Sequence, residues 1–281
     1  MLRSLNSAVS GLENFQEEMD VIGNNIANIN TTGFKSGRSN FAESFSDTLS
    51  AASGSSGTGQ VGLGVTTTSV SNDYTQGALN TTGVHTDLAI QGDGFFMVRD
   101  TADNAQYATR AGNFSLDANG YLLTDTHERV QGYSDAGLST RGDIKIDTTG
   151  MPATSSSTAG IQSYSIGGDG KITVNLDDGT SFVRGQVLLQ NFQNPQALVK
   201  AGANLYSGLG AAGPLSGSVS ASAAPGTSGL GNIKSGSLEM SNVDLSNEMA
   251  QLITAQRAFE ANAKIITTSD ELMQDVNNLK H

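Results

Sequence analysis

Cysteine is absent from this 281-residue chain, and with it go disulfides, thiol nucleophiles and thiolate metal sites. Tryptophan is absent as well, and aromatics make up only 6%. The core within reach is therefore modest, and a composition filled with Gly, Ser, Thr, Ala and Asn suits turn-rich surfaces and tightly packed neighbours more than a deep catalytic pocket. No apolar run approaches the ~18 residues that a membrane-spanning helix needs. The opening stretch MLRSLNSAVSGLENF lacks the continuous apolar core of a secretory signal, so export, if it occurs, is expected by another route. Positive charge is scarce: 15 Lys and Arg stand against 27 Asp and Glu, a net charge of -12. Such a surface repels a nucleic-acid backbone, and neither nucleic acid nor membrane insertion is expected.

Catalytic constellations are missing too. His85, His127 and His281 show no metal-ligand spacing, and no nucleophile elbow of the GxSxG kind is present. Asp117-Ala118-Asn119-Gly120 lacks the further oxygen ligands of a calcium loop and reads as a hairpin turn, as does Gly92-Asp93-Gly94. The expectation is no enzyme, no cofactor and no metal.

What is present begins with periodicity. Leu5, Ala8, Leu12, Phe15, Met19, Ile22, Ile26 and Ile29 recur at steps of three and four, the seam of an amphipathic helix that seeks a helical partner. Its first stop signal is Thr31-Thr32-Gly33, where glycine can adopt the left-handed conformation that ends a helix. Asn24, Asn25 and Asn28 are weak helix formers, and short neutral amides there suit contacts with other subunits. A second helix is expected from about Asp244. Leu245, Met249, Leu252, Phe259 and Ile266 hold the same rhythm, and the seam then shifts to Leu272, Val276 and Leu279, so the apolar stripe is broader than one partner requires.

Between the helices the period falls to two. The stretches 65–71, 78–82, 87–98, 107–123, 129–133, 171–183 and 186–192 read as strands of an antiparallel β domain. Asn119-Gly120, Asp169-Gly170 and Asp178-Gly179 read as hairpin turns with two positive φ angles. Asn194-Pro195 opens a short helix. The expected fold is mainly β with segregated α: helices at 1–33 and 244–281 pair as a coiled coil, 34–60 and 232–243 connect, and 61–231 forms the β domain. Within that domain, 147–160 is a polar surface loop tolerant of polar changes, and 208–232 is a low-complexity Gly/Ala/Ser tract. Burying the helix seams against each other roughly breaks even with, or falls short of, the entropy of ordering them, so both ends are expected to be disordered in a single copy and to fold when many copies pack side by side.

Several long stretches resemble the bacterial flagellar axial proteins, the hook and rod family. They are NNIANINTTGFK (24–35), GFKSGRSNFAESFSD (33–47), YTQGALNTTGVHTDLAIQGDGFFMV (74–98), YATRAGNFSLDANGYLL (107–123), GQVLLQNFQNPQALVKAGANLY (185–206) and SGSLEMSNVDLSNEM continuing to Lys280. Within the family, EMSNVDLSNE, ITTSDELMQDVNNLK and LLQNFQNPQAL resemble the hook proteins most, with the distal rod as the alternative. A secreted β-rich binding module with a helical stalk is the reading from another class. The resemblance implies an extracellular flagellar subunit exported by the type III apparatus and polymerising with itself into a torque-transmitting tube. Its further partners would be the distal rod, the hook cap and the hook-filament junction proteins. It also implies that 147–160 stands where larger hook proteins carry an additional outer domain. The assembly interface is then expected on the helix seams, with Asn24, Asn25 and Asn28 beside them.

Overall fold

The computed structural model describes residues 2–50, 59–152, 155, 159–218 and 222–279. The Gly/Ser tract 51–58, five positions of the polar insert (153, 154 and 156–158), positions 219–221 of the low-complexity tract, and His281 lie outside the described residues. The fold is mainly β with a helix at each end of the chain, divided into two units: residues 1–29, 35–73 and 243–281 form the first, and 30–34 with 74–242 the second.

In the first unit, α1 (Leu2–Ala27) and α2 (Leu245–Asn278) run antiparallel. Two contacts fix the direction: Gly11 lies against Asn262, and Asn25 Nδ2 donates to Glu248 Oε2 at 3.2 Å. Asp244 starts α2 as its N-cap, accepting from the backbone N–H of Ser246 and Asn247. α1 ends at Ala27, well before Thr31-Thr32-Gly33. The Asn28 side chain turns back onto the Asn24 carbonyl at 2.9 Å, a local bond that competes with continuing the helix. Gly33 does take a positive φ of 68°, but it lies outside the helix.

The stretch expected to be a linker is instead built into ribbons. Gly37–Glu43 pairs antiparallel with Val65–Asn72 through a bulge at Asn40/Phe41, and Ser46–Ser50 pairs with Gly59–Gly62. The first ribbon lies along α1: Asn14 Nδ2 donates to the Val65 carbonyl, and Thr67 Oγ1 donates to Asn14 Oδ1 at 2.6 Å. Phe15 meets Phe41 edge-on. The bulge at Asn40/Phe41 shifts the register within Gly37–Glu43, so its burial follows no strict alternation, and Phe41 and Phe45 are exposed.

The second unit is an antiparallel sheet. Its strands run in the order Ile161–Ile166, Lys171–Leu176, Ser181–Val187, Arg129–Tyr133, Phe95–Arg99, Gln106–Thr109, Leu205–Ser207, Val199–Gly202. Leu88, Phe96, Val98, Leu122, Val130 and Ile172 are fully buried in its main core. A second cluster, including Phe95, Met97, Phe192 and Tyr206, sits on part of the other face.

The segment 232–243 is not a connector throughout: Asn232–Ser235 pairs with Leu88–Gln91, and Ser237–Glu239 with Leu79–Thr81. The Asn194-Pro195 signal yields only a 3-10 turn, Pro195–Ala197, before the chain becomes strand. The turns at Gly120, Gly170 and Gly179 each have one positive φ, carried by the glycine, and each glycine N–H returns to the carbonyl three residues back. They are type I turns closed by a left-handed glycine, which lengthens the hairpin loop by one residue relative to the expected two-residue turn. The insert 147–160 is only partly surface: Met151 packs on the main core and Ala159 is buried.

Candidate functional site

Among the described residues, no group of three or more His, Cys, Asp or Glu could hold a metal, and no helix is long and apolar enough to cross a membrane. Large apolar side chains stand exposed along α2, Leu245, Met249, Leu272 and Val276 among them, which makes the terminal helices a candidate contact surface.

On α1, Ile22 is buried, while Leu5, Leu12, Phe15, Met19 and Ile26 are half-buried, as is Ile29 beyond its end. Gly11 and Asn25 face α2, against Asn262 and Glu248, and Ala8 and Ile22 are buried. The small Gly11 lets the helices approach closely at that point. Glu18 lies on the same side, and burial pushes its carboxyl above the ordinary range.

The asparagines separate into three roles. Asn25 is buried and spends its amide inside the unit, donating to the Gly37 carbonyl at 2.8 Å and accepting from the Gly37 N–H at 2.9 Å. Asn28 is used at the helix end, and Asn24 is exposed. Asn25 is thus an internal tie where a subunit contact was expected, because the ribbon presents its unpaired backbone at that position.

On α2, Leu252, Phe259 and Ile266 are half-buried, while Leu245, Met249, Leu272, Val276 and Leu279 are exposed. The register that sets Gly11 against Asn262 carries the last turns of α2 past the start of α1. Leu272 at 54%, Val276 at 56% and Leu279 at 86% exposure stand on that overhang. The structure therefore pairs the middle of the two helices and leaves both ends of the α2 stripe uncovered.

In the second unit, residues 30–34 form a docked loop. Gly33 donates its N–H to the Glu239 carbonyl at 2.8 Å, and Asn204 Nδ2 donates to the Thr32 carbonyl at 2.8 Å. A Cβ on Gly33 would lie 2.7 Å from the Arg110 carbonyl carbon, so glycine is required for both its φ and its room. Beside this loop, Arg110 and Glu239 form an ion pair with side chains 3% and 0% exposed. Arg110 also lies over the Phe95 ring. Burial pushes the nearby Tyr206 hydroxyl well above its ordinary range. Sequence reading missed this node, and its residues are too far apart in the chain for any local pattern to announce it.

Three family models match the chain. Flagella basal body rod protein matches residues 5–35, the flagellar hook protein FlgE/F/G D1 domain matches 89–174, and the flagellar basal body rod FlgEFG protein C-terminal matches 234–279. The flagellar basal-body rod protein FlgG of Bacillus subtilis is 44% identical over 286 residues, with 100% of both chains covered. The chain belongs to the flagellar rod and hook family. A second family member, FlgG of Agrobacterium fabrum, is 36% identical across 99% of this chain and 100% of that protein. The flagellar hook protein FlgE of Treponema pallidum is 49% identical over 140 residues, covering 47% of this chain and 30% of that one. The family's N-terminal model takes in α1 and the docked loop, and its C-terminal model takes in α2.

Proposed function

We propose that this chain is a distal rod subunit, a structural protein that assembles with itself into the helical rod of the flagellar basal body. The end-to-end match to FlgG proteins carries this reading. An alignment of 286 positions to a chain of 281 residues leaves only a few positions of gap. A hook role keeps one supporting observation, the high identity of the shared 140 residues.

The helices supply the assembly surface in this reading. α1 and α2 pair in coiled-coil fashion within a copy, and the exposed Met249, Leu272, Val276 and Leu279 are covered by helices of neighbouring copies. The chain would reach its place through the type III export apparatus and meet rod on one side and hook on the other.

Deleting the gene and imaging the basal bodies tests the assignment. A rod that stops short of its full length is expected. A complete rod lacking only the hook would return the chain to the hook reading.

A further inference from the structure

One face of the second unit reverses the charge balance of the chain. Arg129–Tyr133 and Arg141–Asp143 pair with Gln131 opposite Asp143 and Tyr133 opposite Arg141, and Arg99 lies opposite both Arg129 and Gln106. Period-two alternation then places Arg99, Gln106, Arg129, Gln131, Arg141 and Asp143 on one side of the sheet, while Val98, Val130 and Ile144 go into the core. Continuing the second strand, Lys145 and Asp147 follow on the same outward side. Lys145 and Arg129 both lie over the ring of Tyr121.

Four cations, Arg99, Arg129, Arg141 and Lys145, thus share this face with two carboxylates. Asp143 accepts from Arg99 at 2.6 Å, from Arg129 at 3.0 Å and from Gln131 at 2.6 Å. Asp147 is bound by Lys145 at 3.1 Å and by Arg184 at 2.6 Å. At the margins, Asp117 acts on Arg129, and Asp135 is turned into its own loop by Ser139 and Thr140. With Arg184 counted, five cations stand against these four carboxylates, a surplus of one positive charge on a chain whose net charge is -12.

The face also has a cavity of about 190 Å³, walled by Arg99, Gln106, Gln131, Arg141 and Ser222 over Met97 and Leu188. At ~30 Å³ per water, that is room for roughly six waters, or for one carboxylate side chain with part of its hydration. Arg99 and Gln131 each give one N–H to Asp143, and Arg141 gives one to the Ser222 carbonyl; a guanidinium carries five N–H donors, and such groups around this space match the planar, acceptor-only carboxylate.

We propose that this cavity receives an Asp or Glu side chain from a second copy of the chain. The inference rests on the self-assembling rod reading and adds to it a charged contact made by the β unit. Charge complementarity selects the occupant. Copies carrying 27 acidic and 15 basic residues repel one another on average. A head-to-tail contact, in which a cationic face on one copy meets an acidic face on the next, relieves that repulsion and propagates into a filament.

The test uses the full chain and its polymer. R141K keeps the cation and places a primary amine at the cavity rim. Equal parts of light and nitrogen-15 chains are assembled, treated with a carbodiimide and digested, and mass spectrometry reads the joined peptides. The expected product links position 141 of one copy to an acidic residue of another, in the polymer and not in the dilute chain. In parallel, the R99Q/R141Q double variant is expected to raise the critical concentration for assembly about five-fold at low salt. The gap should close near 1 M salt, where screening acts within about 3 Å, and R141K alone should assemble as the parent chain does. Thermal unfolding of each variant checks that the β unit is intact. If polymer forms but position 141 links only within its own chain, or the double variant assembles like the parent, the inference is overturned and the rod reading stands. If the parent chain forms no polymer, both fall.

Discussion

Asp147 lies at the start of a tract that sequence alone reads as tolerant loop. Its carboxylate accepts from Arg184 Nε at 2.6 Å, and the Arg184 side chain is 8% exposed. Burial opposes ionisation of Asp147, but the Arg184 and Lys145 donors win and hold its pKa at about 2. D147N is therefore expected to cost about 1–3 kcal/mol by leaving a buried guanidinium without its anion. Because the folded pKa is depressed, this stabilisation is present above about pH 4 and is lost as pH falls toward 2. Urea unfolding from pH 6 to pH 2 should show the parent losing more stability than D147N across that window. The same scale holds Asn25. N25A strips partners from both backbone groups of Gly37 and from Glu248, with an expected loss of about 1–3 kcal/mol. Faster hydrogen exchange at the Gly37 amide would report it; unchanged exchange would mean that water replaces the amide without penalty.

At the scale of elements, the helices were legible because their three-four rhythm is long, even with the seam shift in α2, and the Asp244 cap marks where α2 begins. The α1 terminus was missed because Asn28 ends the helix by a side-chain bond, a signal weaker than the glycine that follows. The strand Arg141–Asp143 and its continuation, RGDIKID, was also overlooked. Its outward residues alternate in sign and only Ile144 and Ile146 mark the inner face, so the apolar period rests on two residues. The Gly37–Glu43 ribbon escaped notice for a related reason, since it buries itself on a helix that sequence spacing cannot place beside it. The exposure pattern of α2 separates folding from assembly. Leu252 is half-buried opposite α1, whereas Val276 stands on the overhang. L252D is expected to destabilise the helix pair. V276D is expected to leave stability within about 0.5 kcal/mol of the parent and to abolish polymer. Sedimentation of the polymer beside thermal unfolding of the soluble chain distinguishes the two, and normal polymer from V276D would remove the overhang from the interface.

For the molecule as a whole, the two units differ in how much of their apolar surface they bury alone. The β unit closes a core in which Leu88, Phe96, Val98 and Val130 are fully buried. The helical unit leaves Met249 at 50%, Leu272 at 54% and Val276 at 56% exposed along one helix. Ordering a helix of 34 residues costs backbone entropy at every position, and a stripe half open to water returns only part of the hydrophobic gain. Local opening free energies follow burial, so α2 should open far more readily than the sheet in a single copy and should be locked when neighbours cover it. Hydrogen exchange makes the comparison directly. In the dilute chain, amides of Leu245–Asn278 are expected to exchange within the earliest time points while those of Phe95–Arg99 stay protected; in the polymer both sets stay protected. Circular dichroism should rise in helical signal on assembly with no change in the β contribution. A dilute chain whose α2 amides are already as protected as the sheet would show that the helix pair is complete within one copy, and assembly would then be docking of finished parts rather than a step of folding.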